Sequence, residues 1–227
     1  MTTMKTSVLD RFLRYVRYDT QSQEGAESYP STPGQLVLLR DLADELRVLG
    51  LADVNMDEHG YVTATIPATP GLEDVPVIGF IAHVDTSPEM SGRDVKPIVH
   101  RAYDGSDIVL PDDPTAVIRP ADWPYLAECI GHDIVTASGT TLLGADNKAG
   151  VAEIMAAAEY LQAHPEIRHG KLRIAFTPDE EVGNGTKYFD VASFGEQYAY
   201  TMDGGRRGEL EYESFSAPAA VHGEGVL

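Results

Sequence analysis

The sequence predicts an α/β fold with a mostly parallel sheet flanked by helices, and three observations carry that prediction. Short apolar runs rich in Val, Ile and Phe or Tyr occur at 75–82, 171–176 and 197–202, with the length and composition of strands buried in a sheet. Segments with apolar residues at helical spacing precede and separate them, as expected of strands alternating with helices. Each run also ends abruptly in acidic or imidazole side chains, and parallel sheets place ligands at the carboxyl ends of their strands.

Taken in order, Ser7 to Tyr18 carries Val8, Leu9, Phe12, Leu13 and Val16 at helical spacing, with Ser7 and Asp10 spaced as a capping box. A surface helix is expected there. Residues 19–31 are polar and form a loop ending in Ser28-Tyr-Pro-Ser. Thr32 reads as an N-cap with Pro33 at the first helical position; Leu36, Leu39, Leu42, Leu46 and Leu49 keep one face apolar, and Gly50 closes the helix. Asp53 to Ile66 alternates on either side of Asp57-Glu-His-Gly60, which predicts a hairpin turning at Gly60 with His59 a solvated turn residue.

Val75 to Ser87 is the next strand, bounded by Pro76 and by Ser87-Pro88. Side chains two apart on a strand share a face, so His83 and Asp85 point the same way. Residues 88–140, rich in Pro, Asp and Gly, predict an irregular insertion with short β pieces at Lys96–Val99, Ile108–Leu110 and Asp133–Ala137. Thr140 to Gly150 is a loop feeding a helix lined by Val151, Ile154, Met155, Ala158 and Leu161, which His164-Pro165 stops. The strand Lys171–Phe176 then ends in Thr177-Pro-Asp-Glu180-Glu181, and Gln197–Met202 ends in Asp203-Gly-Gly. No internal repeat is evident.

Composition limits what the chain can do. Its 227 residues suffice for one sizeable core, or one domain and part of another. Seventeen Lys and Arg against 36 Asp and Glu give a formal charge of −19, which leaves no basic face for nucleic acid or an anionic membrane surface and favours cations. No run of about 18 apolar residues exists to span a membrane. The N-terminus runs into an amphipathic pattern without a secretory apolar core, so a cytoplasmic protein is expected. Cys129 is the one cysteine, which forbids an intrachain disulfide and a multi-cysteine zinc site; any zinc must be held by His, Asp and Glu.

Each candidate residue also has a plain structural reading. Asp146 could be a helix N-cap, His83 a satisfied core histidine, Glu180 and Glu181 a solvated turn, and Asp203 a turn starter. Together at the exits of successive elements they mean more. Such carboxylates and one imidazole in a single crevice would repel one another unless cations neutralised them. One histidine with several carboxylates suits two zinc ions about 3.5–4 Å apart, which lower the pKa of water towards about 7. One of the two glutamates can then take the water's proton and hand it to a leaving amine, which makes a hydrolase of amide bonds. Spacing alone leaves open which glutamate is the base.

His83-Val-Asp85-Thr-Ser-Pro, Gly144-Ala-Asp146-Asn-Lys-Ala-Gly, Phe176-Thr-Pro-Asp-Glu180-Glu181-Val-Gly and Tyr200-Thr-Met-Asp203-Gly-Gly resemble the four metal motifs of the peptidase T family, di-zinc tripeptide aminopeptidases. The resemblance runs from about Leu9 to Ser216 and includes Asp94-Val-Lys-Pro-Ile and Gly208-Glu-Leu-Glu-Tyr-Glu-Ser-Phe. It implies that His83 and Asp203 hold one zinc and Glu181 the other, with Asp146 bridging. Asp85 would orient His83, and Glu180 would be the general base. Asn147 stands where the family usually has a second aspartate, which leaves the ligand set intact.

The resemblance further implies tripeptide substrates, a homodimeric whole form, residues 1–213 as the N-terminal part of the catalytic domain and 214–227 as the start of a lid and dimerisation domain. In the family the chain returns after the lid with a last histidine ligand, so the expectation is a chain truncated at Leu227, inactive alone, with His222 the remaining candidate for that ligand. The rival readings are a related zinc carboxypeptidase or deacylase, or an inactive metal-binding fragment.

Overall fold

The computed structural model describes residues 7–205 and 208–210. The expected domain start at 214–227, His222 and most of the 208–215 stretch lie outside these residues. Helix α1 (Val8–Tyr15), helix α2 (Pro33–Val48), and strands β1 (Ala52–Met56), β2 (Val62–Ile66) and β3 (Ile78–His83) come first. An insertion holds β4 (Ile98–His100), β5 (Ile108–Leu110), β6 (Asp113–Ile118), a 3-10 turn (Pro124–Cys129) and β7 (Ile134–Thr136). Helix α3 (Ala145–Ala163), strand β8 (Leu172–Thr177), helix α4 (Val191–Phe194) and strand β9 (Tyr198–Thr201) complete the order.

The central sheet runs β1-β2-β8-β3-β9. β3 lies between β8 and β9, parallel to both, while β2 pairs antiparallel with β1 and with β8. Parallelism is therefore confined to the half that carries the candidate residues; the hairpin supplies an antiparallel edge to a mixed sheet. Phe80 and Ala82 of β3, Ile174 and Phe176 of β8 and Val62, Ala64 and Ile66 of β2 meet Leu38, Leu39, Leu42 and Leu46 of α2 and Val151, Ile154 and Met155 of α3 in one core. The apolar stripes predicted for the two long helices are the faces that are buried. Phe194 of α4 packs on the opposite face, against Gly79, where a Cβ would lie 2.7 Å from its ring.

Several local expectations are corrected. Ser7 makes no capping bond, because Arg11 and Glu159 take its hydroxyl; with Glu45, which also binds Arg11 at 2.8 Å, they tie α1 to α2 and α3. Thr32 has the extended backbone of an N-cap, but its hydroxyl donates to the Gln21 carbonyl at 2.7 Å. Gly60 does turn the hairpin, at φ 94°, yet His59 is half-buried and stacked on Tyr188 with ring centroids 4.1 Å apart, not merely solvated. In the insertion, the short pieces form two separate two-stranded sheets, β4-β7 and β5-β6. β6 and the 3-10 turn were not foreseen. No helix among the described residues is long and apolar enough to cross a membrane.

Candidate metal centre

β3 delivers His83 to the crevice because its ladder with β8 runs to the last residue, pairing His83 with Thr177. Beyond it, the Val84 amide donates to the Thr177 carbonyl at 2.9 Å, and Thr20 donates its hydroxyl to the Val84 carbonyl at 2.7 Å. The imidazole is 3% exposed and Asp85 is fully buried beside it. His83 Nδ1 lies 3.3 Å from Asp85 Oδ1 and 3.1 Å from the Asp85 carbonyl, which turns Nε2 toward the crevice.

The other candidates arrive from neighbouring exits. Gly144, at φ 77°, precedes α3, and Asp146 departs from helical geometry (φ −81°, ψ 109°) before regular helix resumes. This non-helical start aims its carboxylate outward. Asp146 Oδ1 is 3.0 Å from His83 Nε2. β9 brings Asp203, whose Oδ1 is 3.9 Å from the same nitrogen. A Cβ on Gly150 would fall 2.0 Å from the Met202 carbonyl, so only glycine lets the end of β9 cross α3 this closely and set Asp203 beside Asp146. His83, Asp146 and Asp203 each offer a ligand atom, all within 4.8 Å of one another. Glu180 Oε2 is 3.7 Å from His83 Nε2. Glu180 and Glu181 stand outside that triad but within its electrostatic reach.

Protonation equilibria reflect this crowding. Burial alone would depress the imidazole, but hydrogen bonds to Asp146 and Asp85 and the charges of Asp85 and Asp203 push His83 up to about 10. Its hydrogen bond to His83 holds Asp146 below its ordinary value. Burial, with the nearby carboxylate charge of Asp146, raises Asp203 and lifts Glu181 to about 7. Burial also raises Glu180, against the pull of His83. One imidazole and several carboxylates gathered in this way are the donor chemistry of a divalent cation site. The residues present fit such an ion.

No protein-family model matches the chain. Curated relatives do match: peptidase T of a Geobacillus strain is 55% identical over 217 residues, covering 96% of this chain and 53% of the relative. Peptidase T of Bacillus licheniformis is 54% identical over 217 residues with the same coverage. Over those residues the chain is a peptidase T homologue. It spans about half the length of the curated peptidase T relatives it matches. Among solved structures, a tripeptidase from Staphylococcus aureus superposes with a TM-score of 0.61 at 24% identity, over 88% of this chain and 43% of that one. An aminopeptidase from Bacillus cereus gives 0.59 at 24% identity, over 87% and 43%. These two show a shared α/β fold.

In this peptidase T homologue, the structure also brings to the site residues that the sequence reading passed over. Lys148 is 1% exposed, donates from Nζ to the Tyr18 carbonyl at 2.8 Å, and is lowered to about 8 by burial, against the charges of Asp19 and Asp85. Asp179 and Gln35 are buried behind the Glu180–Glu181 turn. One signal was available for two of these. Lys148 lies on the stripe of Val151 and Met155, and Gln35 on that of Leu39, Leu42 and Leu46; a polar residue on a buried helical stripe requires a partner.

Proposed function

We propose that this chain carries the metal centre of a zinc-dependent aminopeptidase that releases the N-terminal residue from tripeptides. The observation that carries the reading is the meeting of His83, Asp146 and Asp203 within 4.8 Å, with Glu180 3.7 Å from His83 Nε2, where parallel strands end beside the start of α3. One nitrogen and several oxygens without a thiolate suit zinc.

In this reading His83 and Asp203 would hold one ion and Glu181 the other, with Asp146 shared between them. Bound zinc supplies Lewis acidity, which acidifies water towards neutral pH and polarises the scissile carbonyl. Glu180 acts as general base: its carboxylate takes the proton of the attacking water and passes it to the leaving amine. Its pKa, raised by burial, makes the carboxylate a stronger base for the first half of that transfer. Asp85 engages Nδ1 of His83 and so fixes the ring with Nε2 facing the other acids of the site.

The names of the relatives support small peptides as substrates. Residues 1–213 are assigned to the catalytic domain and 214–227 to the start of a second one, in a cytoplasmic protein whose whole form is a homodimer. The test is to load the purified protein with zinc and offer it a tripeptide, its N-acetylated form and its C-terminal amide. Cleavage of the free tripeptide that is lost on N-acetylation supports an aminopeptidase. Preference for the acetylated peptide would indicate a deacylase, and loss confined to the amide a carboxypeptidase. Zinc binding without turnover would support the reading as a metal-binding chain.

A further inference from the structure

The turn that carries Glu180 and Glu181 hangs from side chains distant in sequence. The amides of Glu180 and Glu181 donate to the two carboxylate oxygens of Asp85, at 3.0 and 3.1 Å. The amide before them, of Asp179, donates to Gln35 Oε1 at 3.0 Å, while Gln35 Nε2 donates back to Asp179 Oδ1 at 2.6 Å. Asp179 also accepts from the Ser31 amide at 2.6 Å and the Ser31 hydroxyl at 2.5 Å. Gln35 is fully buried and Asp179 is 1% exposed.

We propose that Gln35, at the start of α2, is a positioning residue that fixes Asp179 and thereby sets where Glu180 and Glu181 point. This rests on the reading of Glu180 as base and Glu181 as ligand. Asp179 adopts φ 56°, a left-handed conformation that non-glycine residues seldom hold. One carboxamide grips both its amide and its carboxylate, so backbone and side chain are fixed together. The chain direction into Glu180 follows from that torsion. Glu180 is 53% exposed at its side chain, so packing does little to place it and the backbone must. A carboxamide on a stripe otherwise made of leucines has its partner in Asp179; a leucine there would leave the carboxylate and the amide short of partners.

Three variants test this, with zinc ion as the probe: Gln35→Met, Gln35→Glu, and Gln35→Glu with Asp179→Asn. Amide exchange is followed residue by residue and zinc affinity by titration. Gln35→Met is expected to speed exchange at Glu180 and Glu181 by about tenfold or more while Ile174 and Phe176 in β8 stay protected, and to weaken zinc binding by about tenfold, a usual loss when a ligand's support is removed. Gln35→Glu sets two carboxylates face to face and is expected to lose more. The double variant restores a donor opposite an acceptor and is expected to recover both readouts to within about threefold of the parent.

Unchanged exchange at Glu180 and Glu181 in Gln35→Met, uniform loss of protection across the core, or no recovery in the double variant would each overturn the proposal. A zinc-binding parent whose affinity ignores Gln35 sinks the proposal alone. A parent that binds no zinc sinks the reading of the site as well.

Discussion

β8 and β9 flank β3 in one sheet and run parallel to it, yet their exits are built differently. β8 is paired on both sides, and its last four residues are buried. Its exit is gripped by Gln35, Ser31 and Asp85. Among the described residues β9 is paired only with β3, all four of its residues are exposed, and Tyr198 is 62% exposed. Asp203 accepts from the amide of Gly204 in its own turn, and its place depends on the ladder and on the close approach of Met202 to Gly150. An acid can thus be aimed by a web of buried polar partners or by strand register alone. Damage to the buried web of the first exit should cost stability and function together; loss of the acid at the second should cost function only.

The largest effect is expected from Asp85→Ala, which removes the shared support of the gripped side. Two amide donors and the buried His83 Nδ1 lose their carboxylate at once. A destabilisation of about 3–5 kcal/mol is expected by denaturant unfolding. A loss under about 1 kcal/mol would show that the web contributes little.

The comparison is sharpest between Asp179→Ala and Asp203→Ala. The first takes a carboxylate acceptor from three buried donors and should cost about 2–3 kcal/mol. The second, on the open exit, should stay within about 0.5 kcal/mol of the parent while still lowering zinc affinity. Equal destabilisation by the two would erase the distinction.

The pH dependence of the metal-free protein bears on the junction of the two exits. His83 is raised from 6.5 to about 10, so the folded form holds a proton that the unfolded chain releases above 6.5. Its stabilisation is complete below 6.5 and is lost as pH rises towards 10. Glu181, lifted to about 7, acts with the same sign at lower pH. Lys148, lowered to about 8, opposes the trend above that pH, so the clearest decline is expected between about pH 6.5 and 8. His83→Ala should flatten it. A stability that rises across that window in the parent would contradict the assignment.

The smallest effect on stability belongs to Glu180 and Glu181, whose side chains are partly exposed. Each alanine variant should unfold within about 0.5 kcal/mol of the parent. They should separate in metal content: Glu181→Ala loses zinc, whereas Glu180→Ala keeps it and, in an active form of the protein, abolishes turnover. Equal zinc loss in both would overturn their roles.

What the sequence made legible follows from the range of the interactions. The apolar runs of β3 and β8, the stripes of α2 and α3 and the Gly60 hairpin are local patterns, and they appear where local rules put them. The acids at strand exits were visible because parallel strands end together. Asp179 was not, since its partner Gln35 is 144 residues away and nothing in Thr177-Pro-Asp-Glu distinguishes a gripped turn from a solvated one. The same holds for Ser7, where Glu159 and Arg11 outcompete the local cap, and for His59, whose stacking partner Tyr188 lies far along the chain. In the insertion, β6 begins Asp113-Pro-Thr-Ala without an alternating apolar pattern; it forms against β5 around a small cluster of Tyr103, Ile108 and Leu110, separate from the main core.

The central claim is that His83 and Asp146 belong to one metal centre where the two exits meet, and zinc titration of the purified chain tests it most directly. The parent should bind zinc, and His83→Ala combined with Asp146→Ala should abolish that binding while the chain stays folded. A double variant with the same zinc content as the parent would contradict it.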